Sequence, residues 1–198
     1  MTIEKGSAWG IAGTVPSDAV RATTDAEVAA GRGSRVQPLG GNLWRSLGSP
    51  RQKETGDACM LLPIDLIRCT IEVHGADLTV HAVSEVRVGG WFSRSGLTVV
   101  TNVGQLGSMN LAPRAHPNDG ELDVFVLEAS MGFRQRVLAR RRARTGTHMP
   151  HPAMHVTRSR HLEVARTDGS VLMVDGVRFG SWTRVVLDVE PDSMTVLV

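Results

Sequence analysis

Tyrosine is absent from this 198-residue sequence, and aromatic residues of every kind make up only 4% of it, as four Trp and four Phe. Interleaved aromatics on which bases could stack are therefore not signalled, and no nucleic-acid partner is expected. Cysteine is nearly absent too. Cys59 and Cys69 stand ten residues apart without a C-x-x-C pair, which indicates neither a disulfide framework nor a zinc site but reduced structural thiols. No stretch approaches the ~18 to 20 uninterrupted apolar residues that cross a bilayer as a helix, and residues 1–10 lack a basic start followed by an apolar run. The expectation is a cytoplasmic protein. Strong net charge is missing as well, the balance being +2 at pH 7.

What is present is an ordinary globular composition, 41% hydrophobic and 21% charged, in a chain long enough to bury a substantial core. Residues 1–56 are rich in Gly, Ser, Thr and Ala and form a minor lobe. In it Thr24-Asp25-Ala26-Glu27 has the form of a capping box, predicting a short helix from Thr24 to Ala30 that Gly31 and Gly33 stop. A glycine-containing turn from Val36 to Asn42 leads to one or two helical turns from Leu43 to Gly48, and Ser49 to Gly56 reads as a linker. From residue 57 onward the pattern is β. Ile64–Val73 and Leu78–Val88 alternate around a hairpin connection at Gly75-Ala76-Asp77. Further strands are expected at Leu97–Val103, Leu122–Leu127, Met154–Thr157, Leu162–Ala165, Val171–Val174, Val185–Val189 and Met194–Val198. One helix interrupts them, from Gly132 to Arg144, with Phe133, Val137 and Leu138 on one side. The class is α+β, mostly β, and short strands at this spacing predict a sandwich or a closed sheet.

Three Asp-Gly pairs, at residues 119–120, 168–169 and 175–176, read first as turns, because both residue types tolerate positive φ. Asp175-Gly176 lies between Val174 and Val177, the arrangement of a two-residue hairpin. From Met131 to Arg160 there are eight arginines and no acid, a local charge of +8 that includes Arg140, Arg141, Arg142 and Arg144. Such a helix either attracts anionic headgroups or a phosphorylated ligand, or is a solvated face balanced by acids elsewhere. His148, His151 and His155 do not share a helical face, because Pro150 and Pro152 intervene.

Several segments in fixed order resemble the bacterial diacylglycerol-kinase-type lipid kinases, within the superfamily that also holds sphingosine and NAD kinases. Leu111-Ala112-Pro113, a spacer, then Asp119-Gly120-Glu121-Leu122-Asp123-Val124 is similar to a family pattern of Ala-Pro, Asp-Gly and Leu-Asp-Val. Thr101 to Met109 resembles the family's strand end and glycine-rich turn. The Arg-rich helix, Thr145-Gly146-Thr147-His148 and Val174-Asp175-Gly176 follow in order. The resemblance implies an antiparallel β-sandwich over residues 57–198, preceded in residues 1–56 by a shortened α/β remnant of the nucleotide-binding lobe.

The same resemblance implies site residues. Asp175 matches the base of a terminal Asp-Gly-Glu motif, which removes the lipid hydroxyl proton as phosphorus is attacked; here Val177 replaces the acid. Asp119, with main-chain oxygens of His116 and Glu121, matches the family's Mg²⁺ site. Gly40, Gly41 and Asn42 match a shortened Pro-Leu-Gly-Thr-Gly-Asn-Asp segment at the ATP site. The Gly-Gly-Asp-Gly-Thr loop that holds ATP phosphates has no copy in the sequence. The leading expectation is a degenerate homologue that binds a lipid or phosphorylated small molecule. One alternative is an active phosphotransferase using ATP and Mg²⁺, completed by a second copy of the chain in a homo-oligomer. Another is a docking module at the periphery of an anionic membrane.

Overall fold

The computed structural model describes residues 9–198, so the reading of a missing leader rests mostly on residues outside it. In chain order its elements are β1 (Ile11–Thr14), β2 (Val20–Ala22), α1 (Asp25–Ala30), β3 (Arg35–Pro38), α2 (Gly41–Ser46), β4 (Ala58–Val73), β5 (Ala76–Ala82), β6 (Glu85–Gly89) and β7 (Leu97–Thr101). They continue as β8 (Gln105–Leu106), β9 (Met109–Asn110), β10 (Leu122–Leu127), α3 (Phe133–Ala143), β11 (Met154–Ser159), β12 (His161–Ala165), β13 (Leu172–Val174), β14 (Val177–Phe179) and β15 (Arg184–Leu197). No helix among the described residues is long and apolar enough to cross a membrane.

Two long strands, β4 and β15, pair antiparallel from Glu72 opposite Arg184 to Leu61 opposite Leu197. The register shifts between Glu190 and Met194, and this irregularity is what made β15 read as two strands in the sequence. On the outer edge of β4 lie β1 and β5, and on that of β15 lie β12 and β3, with β2 beyond β3. The unit β2-α1-β3 is a parallel crossover, since β2 pairs parallel with β3 and β3 parallel with β15. This unit lies in the segment expected to be an α/β remnant. Its strands extend the same seven-stranded sheet as β4 and β15, so the sheet runs unbroken across the expected boundary at residue 56.

The second sheet is antiparallel, in the order β11-β10-β7-β6-β13-β14. Side chains of successive strand residues point to opposite faces, and both faces of β7 and β10 are covered. Val100, Leu122 and Val124 pack with Ile67, Ile71, Val185 and Leu187 between the two sheets. Val99, Phe125 and Leu127 pack on the other side with Ala139 and Ala143 of α3 and with residues of α1 and α2. Double coverage explains the nearly continuous apolar run of β10, and each fully buried aliphatic or phenyl side chain stabilises the fold by about 1.5–3 kcal/mol.

Two expectations need correction. The run Leu78–Val88 is not one strand, because the chain leaves the first sheet after Ala82 and joins the second at Glu85. Helix α3 also faces the other way from its apolar pattern. Its buried stripe is Arg136, Ala139 and Ala143, whereas Phe133 and Leu138 are exposed. Ala139 and Ala143 pack into the core, and the larger side chains are left outside.

Candidate functional site

Asp175 and Gly176 do form the two-residue hairpin between β13 and β14, with φ of +44° and +82° and Val174 paired with Val177. The Asp175 carboxylate, however, is buried. It reaches the place where the chain crosses between sheets, whose amides have no strand partner of their own. Val83 N donates to Oδ2 at 2.8 Å, while Ser84 N, Glu85 N and Ser84 Oγ donate to Oδ1 at 3.0, 2.9 and 2.8 Å. In return Asp175 N donates to the Glu85 carbonyl at 2.9 Å. Burial pushes the Asp175 carboxyl up to about 6, against the pull of the bonds from Glu85, Val83 and Ser84. Beside it, α1, β13 and β14 contribute to a cavity of about 430 Å³.

A second buried carboxylate stands behind the same hydroxyl. Ser84 Oγ lies 3.0 Å from Asp25 Oδ2, and Asp25 accepts Asn42 N at 2.7 Å and Leu43 N at 3.1 Å from the first turn of α2. A hydroxyl carries one proton. The Asp25–Ser84–Asp175 chain is fully bonded only when one carboxyl holds another, and protonation of Asp175 below about pH 6 supplies it. Glu85 is buried nearby, its carboxyl raised by that burial, lowered by Arg87 and raised again by Asp25. Glycine is needed at residues 40 and 41 for close approach. A Cβ on Gly40 would strike the Thr23 carbonyl, and one on Gly41, at φ +90°, would strike the Asp25 carboxylate.

The turn from β2 into α1 leads from a parallel strand into a helix start, the kind of place where phosphate loops occur. It reads Thr23-Thr24-Asp25-Ala26-Glu27, with an aspartate in the third position and no glycine. Several of its donors are occupied from within. Thr24 Oγ accepts Glu27 N at 3.2 Å, and the Glu27 carboxylate accepts Thr23 N at 2.7 Å and Thr23 Oγ at 2.9 Å. The Thr23 bonds hold the Glu27 carboxyl below the usual carboxylate range, so its negative charge is fixed at this helix start.

Asp119 belongs to a different cluster. Its carboxylate meets Arg158 at 3.2 Å and accepts Glu121 N at 3.1 Å, while Arg158 also contacts Glu121 at 3.4 Å and Asp123 at 3.4 Å. His116 Nδ1 accepts Asn118 N at 3.2 Å. The loop is anchored from beneath by the fully buried Asp65, which accepts Gly120 N at 2.7 Å, Asp192 N at 2.9 Å and Asn118 Nδ2 at 3.2 Å. Among the described residues no three His, Cys, Asp or Glu side chains are grouped to hold an ion. Of the basic stretch, Arg140, Arg141 and Arg144 line one small cavity with Phe92 and Val137. Arg136 is buried and Arg158 is ion-paired, so the expected charge of +8 is not all at the surface.

Residues 67–198 match the family model described as the YegS C-terminal NAD kinase beta sandwich-like domain. The chain belongs to that family. No curated protein matches it. Among solved structures, a diacylglycerol kinase from Bacillus anthracis str. Sterne has a TM-score of 0.57 at 15% identity, covering 82% of this chain and 66% of that one. Yeast NADH kinase complexed with NADH has a TM-score of 0.52 at 9% identity, covering 91% of this chain and 61% of the yeast enzyme. At such identities the likeness is one of fold, and the chain spans 66% and 61% of these two proteins.

Within this family fold, Asn42 connects to Asp175 through Asp25 and Ser84, with Gly41 packed against the Asp25 carboxylate and Gly40 against the Thr23 carbonyl; neither Asp25 nor Ser84 is marked as a site residue by the sequence. Their signals were faint. Asp25 was absorbed into a capping box, and Ser84 sat inside a run read as one strand.

Proposed function

We propose that this chain is a lipid-kinase-like protein that holds a lipid or a phosphorylated small molecule without transferring phosphate. The observation that carries the reading is the Glu27 carboxylate held at the first turn of α1. Phosphates bind helix starts because free amides and the positive end of the helix dipole face them. Here the Glu27 carboxylate stands at the helix start and already takes the Thr23 amide and hydroxyl, and a phosphate brought to this turn meets its charge. The residues therefore do not fit an ATP phosphate at this turn. Asp119 does not fit Mg²⁺ either, since the Arg158 guanidinium stands against its carboxylate as the counter-cation.

The substrate side of the fold supports binding. A cavity of about 320 Å³ has Trp91, Leu97, Val99, Leu106 and Leu111 among its lining, with Asn42, Glu85, Arg87 and Arg140 supplying polar groups. A pocket in which charged and polar groups converge beside apolar side chains suits a ligand with both a polar and an apolar part. Arginine beside it favours an anionic head over a neutral one.

Thermal unfolding tests both halves. Millimolar ATP with Mg²⁺ is expected to leave the midpoint unchanged, whereas a short-chain phosphatidate at 100 times its dissociation constant adds ~2.7 kcal/mol, a rise of roughly 5 to 10 °C. Transfer of labelled phosphate from ATP to diacylglycerol by the purified chain, abolished by Asp175→Asn, would overturn the reading in favour of an active phosphotransferase.

A further inference from the structure

We infer that the outer face of α3, together with the loop between β6 and β7, docks on an anionic bilayer, with Phe92 and Phe133 entering it. The two rings lie side by side, 5.3 Å between centroids, and are 49% and 68% exposed. A single exposed phenyl ring is ordinary on a protein surface, whereas two rings packed together join into one exposed apolar patch. On α3, Phe133, Val137, Arg140 and Arg144 recur at spacings of four, three and four, one stripe of the helix, with Arg141 beside it. Phe92, Val137, Arg140, Arg141 and Arg144 line one shallow hollow, and the Arg140 guanidinium lies 6.0 Å from the centre of the Phe92 ring.

The aromatic tip is held rigidly from beneath. Arg136 is buried and donates to five main-chain carbonyls, including those of Trp91 at 3.2 Å and Ser93 at 2.6 Å, the residues on either side of Phe92. The Phe92 ring is thus presented outward by a fixed backbone. Rigid presentation lowers the entropy lost on binding. The arginines around it are uncompensated. From residue 129 to 162 the sequence contains no acid, and among the described residues no ion pair involves Arg140, Arg141 or Arg144.

This combination fits a bilayer better than a folded acidic partner or a nucleic acid. Two phenyl rings without a polar handle, flanked by guanidinium groups, match an apolar interior lying beneath anionic headgroups. Arg140 also lines the 320 Å³ cavity, so that cavity opens beside the docking face. The inference stands whatever that cavity holds, because it rests on the exposed rings and arginines alone.

Co-sedimentation of the full chain with phosphatidylcholine vesicles, with and without phosphatidylglycerol, tests it. Binding is expected only to the anionic vesicles and is weakened by salt. At ~1 kcal/mol, or about fivefold, for each basic residue, the triple change Arg140→Gln, Arg141→Gln, Arg144→Gln lowers partitioning about a hundredfold. Phe92→Ser with Phe133→Ser lowers it about tenfold or more. These side chains are exposed, so the thermal midpoints of the variants should stay near that of the parent. The salt series on the unaltered chain supplies a measure that needs no variant. Equal binding to neutral vesicles, or none to anionic ones, overturns the inference. So does loss with the arginines but indifference to both phenylalanines, or tighter capture by duplex DNA than by the vesicles.

Discussion

Asp175 accepts four donors from a stretch about ninety residues earlier in the chain, and burial still raises its carboxyl to about 6. The sign of its effect on stability follows. Below pH 4 the group is protonated in both folded and unfolded chains. Between about 4 and 6 the folded chain keeps a proton that the unfolded chain has released, so stability falls as pH rises through that window. Above about 6 this loss is complete. Relative to Asp175→Asn, which has no such proton, the parent should lose on the order of 2–3 kcal/mol between pH 4 and pH 7. Urea denaturation of both chains across that range checks it, and a pH-independent difference would rule out a protonated Asp175 in the fold. Burial acts on His148 in the opposite sense, holding its imidazole below the usual range, so its contribution is lost as pH falls from about 6.5.

At the scale of an element, α3 depends on one buried cation. Arg136 satisfies five carbonyls of the loops on either side, and no neighbouring side chain replaces those bonds. Arg136→Ala removes the donor from the carbonyls of Trp91, Ala129 and Met131, while those of Ser93 and Glu128 keep a main-chain donor, and should cost about 3 kcal/mol. Arg136→Lys keeps the charge but offers three donors without the planar fork, and should recover only part of the loss. Chemical denaturation decides this, and a cost below 1 kcal/mol for the alanine variant would mean that the clamp is dispensable. The first turn of α1 illustrates a complementary point. A capping box is legible there because Thr24 and Glu27 sit three apart, but that the turn follows a parallel strand emerges only from the strand order.

For the molecule as a whole, the N-terminal segment is part of the main core. Val28, Val36 and Leu43 pack in one cluster with Leu62, Ile64, Leu66, Met194 and Val196, and β3 covers the edge of β15 at Thr195 and Val196. A fragment of residues 57–198 would expose that cluster and that strand edge together. It should aggregate or lose fixed packing, as an uncovered apolar strand edge does. Size-exclusion chromatography with near-ultraviolet circular dichroism tests this. A monomeric fragment with cooperative unfolding close to that of the full chain would separate the two segments after all.

Local interactions made much of the molecule legible from its sequence. The Asp175-Gly176 hairpin, the Thr24 cap and the extent of β10 depend on positive φ, on bonds within a few residues and on side-chain alternation, all of which neighbouring residues set. The family order of motifs added the sandwich. Tertiary structure alone decided which groups meet: the passage from one sheet to the other at Val83-Ser84, the outward turn of Phe133, and the joining of Asp25 to Asp175 through one hydroxyl. Those outcomes depend on segments separated by 59 and 91 residues, and no local pattern encodes which surfaces such distant segments bury against each other. The buried carboxylates of the site are therefore written in the sequence as ordinary turn and cap residues, and only their packing makes them a cluster.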